Sequence, residues 1–356
     1  MNIYMGMLVL LIVLTPVLGG TYRRNKQYII VATLILFGVC AMRGIRIGAD
    51  LGRYEVHYYT CSQLDFSGIF AKYQWDNIGF YFLIKILQII FGYDFHSFLF
   101  ILAIFEGIVL ARIIYKYSAN PYMSFLLYMA LGYYVFIYSG LKQALATAFI
   151  YLAFDAIIEH KKIRFIICVV LATSVHLPAF IFLPAYYIAY RKLNIRMIVI
   201  YIATAVGIFV FKEQIFIYMT DMYDSVVSTT QIGGVGGKVI MMLAFLIGGY
   251  LLRIPDGEDT VYLATFNIVI VATLLQLFAV YGNVFERLAD YYFVFSILFL
   301  SLVFEKMGRR EKSVCSIIPY DDQICNIANV GILVFSVVYF YLNVTATYGL
   351  LPFSFN

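Results

Sequence analysis

Charge is scarce in this chain. Aspartate, glutamate, lysine and arginine together make up 13% of its 356 residues, while 63% are apolar. A soluble domain is about half apolar and about a quarter charged, and a water-exposed globule of this length has too little interior to hide the excess. That excludes a soluble enzyme, a disordered chain and a nucleic-acid-binding module; no nucleic-acid partner is expected. Cysteine is sparse as well. The five (Cys40, Cys61, Cys168, Cys315, Cys325) show neither a CxxC pair nor the Cys/His spacing of a zinc site. Cys40 and Cys168 fall inside apolar stretches, where cysteine acts as a small apolar side chain. No metal or other cofactor is expected. The alternating polarity of barrel strands is missing. So are a low-complexity linker and an internal repeat, which weakens an inverted-repeat transporter reading. The expectation is one integral-membrane domain over 1–356.

What is present is a series of apolar runs, near 3–19, 27–42, 97–115, 121–138, 141–158, 196–211, 239–252, 261–282, 288–304 and 327–343. In lipid only helices or closed barrels cross, so these runs predict an all-α polytopic membrane protein. At about 20 residues per span the length suits a bundle of about 12 transmembrane helices. The first run lacks a basic n-region and a small-residue cleavage site, so it reads as retained.

Basic residues set the orientation. The loops Tyr22–Gln27, Arg112–Asn120, Glu159–Arg164, Arg191–Arg196, Arg253–Asp259 and Glu305–Asn326 hold 16 of the 25 lysines and arginines, and read as cytoplasmic. Both ends of 163–190 are basic, so the chain must turn around between them. His176-Leu177-Pro178 is the place, because proline ends one helix and starts the next. The larger outer loops are 43–78 and 212–238, the second carrying Gly233, Gly234, Gly236 and Gly237. Residues 79–92 contain Lys85 and Gln88, and a lysine at the bilayer centre costs about 3 kcal/mol. A re-entrant or short helix is expected there.

Four polar clusters fall at the outer end of this topology. In the first, Arg43, Arg46, Asp50 and Tyr54 are spaced by three or four, one face of a continuing helix. Gly44, Gly48 and Gly52 either let such a helix touch a neighbour closely or loosen it into a turn. The second is Gly140-Leu141-Lys142-Gln143, where glycine breaks one helix and a free helix N-terminus suits an anion. His176 is the third, a candidate proton acceptor. The fourth is Glu286, Arg287 and Asp290, joining two spans. Two acids lie inside spans: Glu106 without an evident partner and Asp155 within reach of Lys162. Asn343-Val344-Thr345 matches a glycosylation sequon. Outer span ends are normally poor in cations, so Arg43, Arg46, Lys142 and Arg287 point to an anionic ligand such as a lipid diphosphate.

The succession Arg43…Gly48-x-Asp50-x-x-x-Tyr54, then Gly140-Leu141-Lys142-Gln143-Ala144-x-Ala146, then His176 before a new span, resembles the EpsG family over about residues 20–305. The Leu351-Pro352-Phe353 tail resembles the family's end. These are bacterial polytopic proteins grouped with Wzy-type O-antigen and exopolysaccharide polymerases. Many members carry arginine at the position of Lys142; lysine keeps the charge but loses bidentate geometry. The resemblance implies a metal-free glycosyltransferase of GT-C-like fold in the bacterial cytoplasmic (inner) membrane. It would join undecaprenyl-diphosphate-linked oligosaccharide repeat units of an O-antigen, capsule or exopolysaccharide at the outer face. Expected partners are that lipid-linked substrate, the bilayer, and chain-length regulator and flippase proteins. On this expectation Arg43, Arg46, Lys142 and Arg287 hold the donor diphosphate, and His176 or Asp50 removes the acceptor proton. Glu286 orients one of these, and Tyr54 and Gln143 position the acceptor. The alternatives are a flippase for the same lipid-linked sugar and a membrane O-acyltransferase.

Overall fold

The computed structural model describes residues 3–221, 235–252, 259–308 and 322–343. Gly233 and Gly234, Cys315, most of the loops 253–259 and 305–326, Thr345 of the sequon and the Leu351-Pro352-Phe353 tail lie outside them. Every regular element among the described residues is helical. In order they are α1 (Ile3–Leu18), α2 (Lys26–Ala41), α3 (Leu51–Ser62), α4 (Phe66–Tyr73), α5 (Ile78–Phe91), α6 (Phe95–Tyr117), α7 (Pro121–Ala130), α8 (Tyr133–Ser139), α9 (Leu141–Ile158) and α10 (Lys162–Val175). A 3-10 segment, Leu177–Phe182, leads into α11 (Ala185–Ile188), α12 (Ile195–Val210), α13 (Lys212–Asp221), α14 (Val235–Leu252) and α15 (Thr260–Leu277). A second 3-10 segment, Ala279–Tyr281, precedes α16 (Asn283–Phe293), α17 (Ser296–Gly308) and α18 (Asp322–Asn343).

Helix boundaries follow local chemistry. Asn25, Asp94, Asn120, Asn194 and Asp259 each accept backbone N–H groups of the first turn that follows them, satisfying donors that have no intrahelical partner. Pro121 sits at the first helical position of α7, where its missing N–H costs nothing. Gly132, at φ +87, separates α7 from α8, a backbone conformation few other residues adopt. The two helices meet at 52° there, and α16 and α17 meet at 42°.

Among the described residues, three helical segments are long and apolar enough to cross a membrane: Phe95–Tyr117, Leu141–Ile158 and Thr260–Tyr281; counting each bent pair as one span gives up to five. Six further apolar helices among the described residues are shorter, of 10–17 residues. A 16-residue helix such as α1 or α2 rises only about 24 Å, short of the about 30 Å hydrocarbon core. Length alone therefore does not reproduce the expected count of about 12. The apolar helices make the chain a multi-pass membrane protein. Large apolar side chains on their outer faces, such as Val17, Ile30, Leu34, Ile108 and Val170, are exposed in the isolated chain, as lipid-facing surfaces must be.

The helix ends sort into two groups. At one, Tyr122 N–H donates to Gly20 O at 2.9 Å, Ser124 Oγ reaches Ile297 O at 3.0 Å, and Arg23 meets Glu305 at 3.7 Å. The same group holds the ends of α6, α9 and α10. There Asp155, fully buried, takes hydrogen bonds from Arg112, Lys116, Tyr117 and Arg164, and Glu159 takes them from Lys116, Lys161 and Arg164. Lys162, expected as the partner of Asp155, instead lies over the ring of Tyr187. The chain does reverse at His176: α10 ends at Val175 and the following segment returns, so that the Tyr190 ring stacks on His160.

Candidate functional site

The opposite group of helix ends gathers most of the sequence-selected residues. The segment between α2 and α3 is a turn rather than a continued helix, so Arg43, Arg46, Asp50 and Tyr54 do not form one helical stripe. The cause is local. Gly48 has φ +131, and a Cβ there would lie 2.2 Å from the carbonyl oxygen of Tyr138. The backbone of the turn thus presses on the end of α8, where Ala49 N–H donates to Ser139 Oγ at 3.0 Å.

Arg43 points inward. It is 2% exposed, donates to Ile137 O at 3.1 Å, and lies over the Tyr138 ring at 4.8 Å. Its Nε and the Oε1 of buried Glu106 are both without a hydrogen-bond partner, and Glu106 lies within electrostatic reach of Arg43. Arg46 is exposed.

Gly140 caps α8, and α9 begins at Leu141, the break expected there. Lys142, in the first turn of α9, donates to Tyr81 Oη at 2.9 Å and sits over the Tyr81 ring at 4.6 Å. Gln143 donates to the carbonyl of Arg287 at 3.3 Å, which ties α9 to α16. Tyr54 packs edge-on against Phe80 at 5.7 Å and lies within reach of Lys142, Asp50 and Arg287. His176 is buried, its Nδ1 shares a hydrogen bond with Tyr291 Oη, and it lies within the fields of Arg287 and Lys142. The next residue is pinned too: Leu177 N–H donates to Asn77 Oδ1 at 2.9 Å.

Tyr54, Asp50, Lys142, Gln143, His176 and Arg287 therefore meet at one end of the bundle, brought by α3, α9, the α10 turn and α16. Glu286 binds Lys238 at 3.0 Å, and Lys238 also binds Asp290 at 2.8 Å. His176 makes a side-chain contact with Tyr291. Tyr81, Asn77, Tyr291 and Lys238 are site residues that the sequence did not single out. The first three are uncharged, and nothing in their spacing marks them. Lys238 carried a signal, being a cation at an outer span end. Among the described residues no three His, Cys, Asp or Glu side chains gather as a metal site.

The arrangement supplies two cations beside a buried, oriented imidazole and a ring of phenols. Such a constellation can hold an anion and accept a proton from a neighbouring hydroxyl. In comparisons with known proteins, the model of the EpsG family matches residues 26–355. No curated protein and no solved structure matches the chain.

Proposed function

Because this chain belongs to the EpsG family, we propose that it joins undecaprenyl-diphosphate-linked oligosaccharide units at the outer face of a bacterial cytoplasmic membrane. The coarser statement is that it is a polysaccharide-polymerase-like membrane protein. The observation that carries the finer reading is the convergence of Lys142 and Arg287 on His176. A lipid diphosphate brings multiple negative charges to a partly dry boundary. A unit charge pair at about 4 Å gains about 4 kcal/mol at an effective dielectric of 20, against about 1 in water.

In this mechanism Lys142 and Arg287 hold the donor diphosphate, with exposed Arg46 meeting it from the turn. Arg43 braces that turn from below. The acceptor sugar hydroxyl attacks the anomeric carbon of the donor, and the bond from that carbon to the diphosphate oxygen breaks. The hydroxyl proton passes to His176, the bound diphosphate offsetting the Lys142 and Arg287 charges that disfavour its imidazolium. In the tautomer whose Nδ1–H donates to Tyr291, which this mechanism uses, Nε2 carries the lone pair that a base needs. Asp50 and Tyr54 line the acceptor side, and Gln143 fixes the Arg287 backbone. Lipid diphosphate leaves as a stable anion, so protonation of the leaving group is dispensable, and the cations stabilise the charge as it develops.

The test is complementation of a strain lacking this gene, reading the surface-glycan ladder at matched membrane abundance of the protein. Alanine at His176 or Arg287 should leave single-unit products and abolish longer ones. Normal ladders would refute the roles. Loss of all surface glycan with trapped cytoplasmic intermediates would favour a flippase. Full-length ladders lacking acetyl groups would favour an acyltransferase.

A further inference from the structure

The chain has a single tryptophan, Trp75, and it is 78% exposed. Phe70, 41% exposed, meets it edge-on with ring centroids 5.3 Å apart. Neither lies on a long apolar helix: Phe70 is on α4, and Trp75 is in the turn before α5. That turn is fixed at both ends. Tyr73 stacks on Tyr81 at 3.5 Å, and Tyr81 Oη receives Lys142. Asn77 Oδ1 receives the N–H of Leu177, the residue after His176. Trp75 thus stands two residues from each of two anchors that belong to the candidate site, within about 7.6 Å between Cα atoms on either side. Gln74 and Asn77 have φ values of 50° and 52°, a conformation costly for side chains with a Cβ and maintained by such tertiary contacts.

We propose that Trp75 and Phe70 form a saccharide-stacking subsite that holds a pyranose ring of the glycan beside the cationic centre. The proposal rests on the polymerase reading for its place in the reaction. A pyranose presents a face of C–H bonds and a rim of hydroxyls. An aromatic face carries negative charge density that attracts polarised C–H bonds. The exposed amide of Gln74 and the half-buried carboxylate of Asp76 flank Trp75 and offer planar acceptors to the hydroxyl rim. The other occupant of an exposed tryptophan in such a protein is the headgroup layer. The same turn carries exposed Gln74 and half-buried Asp76, and sinking it into lipid would strip these polar groups of water. A ring that holds the chain between additions lets the polymer grow without full release.

Because Trp75 is the sole tryptophan, intrinsic fluorescence of the full-length protein in lipid vesicles free of any other protein, excited beyond the tyrosine absorption band, reports on it alone. The probe is surface polysaccharide purified from the producing strain. The expected result is a saturable blue shift with reduced acrylamide quenching, and an apparent affinity about fivefold weaker in F70A. An unchanged spectrum at saturating polysaccharide, or strong quenching by lipids brominated in their acyl chains, would overturn the subsite. In cells, W75A should shorten the ladder while W75F restores most of its length; a wild-type ladder in W75A also overturns the proposal. Failure of the wild-type gene to restore any ladder, with polysaccharide still protecting Trp75, would remove the polymerase reading and leave the subsite standing.

Discussion

The phenol of Tyr291 and the imidazole Nδ1 of His176, 115 positions apart in the chain, share a hydrogen bond inside a buried site. It joins α16 to the turn after α10 and holds the imidazole through Nδ1. In Y291F the imidazole stays but its tautomer and tilt are released. Polymer yield per protein should fall about tenfold or more, and H176A should fall further, by about a hundredfold or more, as for loss of a positioned base. The double variant should be no worse than H176A alone, since the two groups act as a unit. Additive losses in glycan yield would separate them.

Lys142 offers charge without a fork. K142A should reduce polymer yield about a hundredfold through loss of a cation at the diphosphate, whereas K142R should retain part of it because the charge persists. Y81F removes the acceptor that holds the ammonium at 2.9 Å and should raise the substrate concentration for half-maximal rate more than it lowers the maximal rate. Radiolabelled extension of lipid-linked units in purified membranes measures both.

At the far end of the bundle Asp155 is fully buried among Arg112, Lys116, Tyr117 and Arg164. D155A removes the buried acceptor of Arg112 and Tyr117 and leaves Lys116 and Arg164 with Glu159 alone, a loss of about 1–3 kcal/mol. The detergent-solubilised variant should melt well below wild type, and its yield in membranes should drop. A variant melting at the wild-type temperature would show the cluster to be energetically idle.

Glu159, outside the spans, is held at about 2 rather than 4.5 by hydrogen bonds from Lys116 and Lys161. A depressed folded-state pKa stabilises the fold above the unfolded value and loses that contribution as pH falls through the folded one. Thermal stability should therefore decline between about pH 4.5 and about pH 2, and E159Q should flatten that part of the profile. Melting curves recorded across the window decide it.

The turn at His176 and the break at Gly140 were legible because each is written locally, in a proline or glycine flanked by charge of known preference. The stripe through Arg43 and Tyr54 was misleading for an equally local reason: spacing suggested a helix, and the backbone that Gly48 adopts against Tyr138 prevents one. Lys85 made 79–92 ambiguous. The structure gives a 14-residue helix there, with the ammonium donating to the carbonyls of Cys61 and Ser62 at the end of α3. That partner is distant in sequence and has no signature. Asn77 and Tyr291 were invisible for the same reason, since their roles exist only once separate helices are side by side.

Three helices, α6, α9 and α10, are riveted together where Asp155 sits, and the opposite tips of α9 and α10 carry Lys142 and the His176 turn. Those tips are braced as well, through Gln143 to the Arg287 carbonyl and through His176 to Tyr291. Clamped at both extremities, α9 and α10 form a stiff girder that passes a displacement along its length instead of absorbing it.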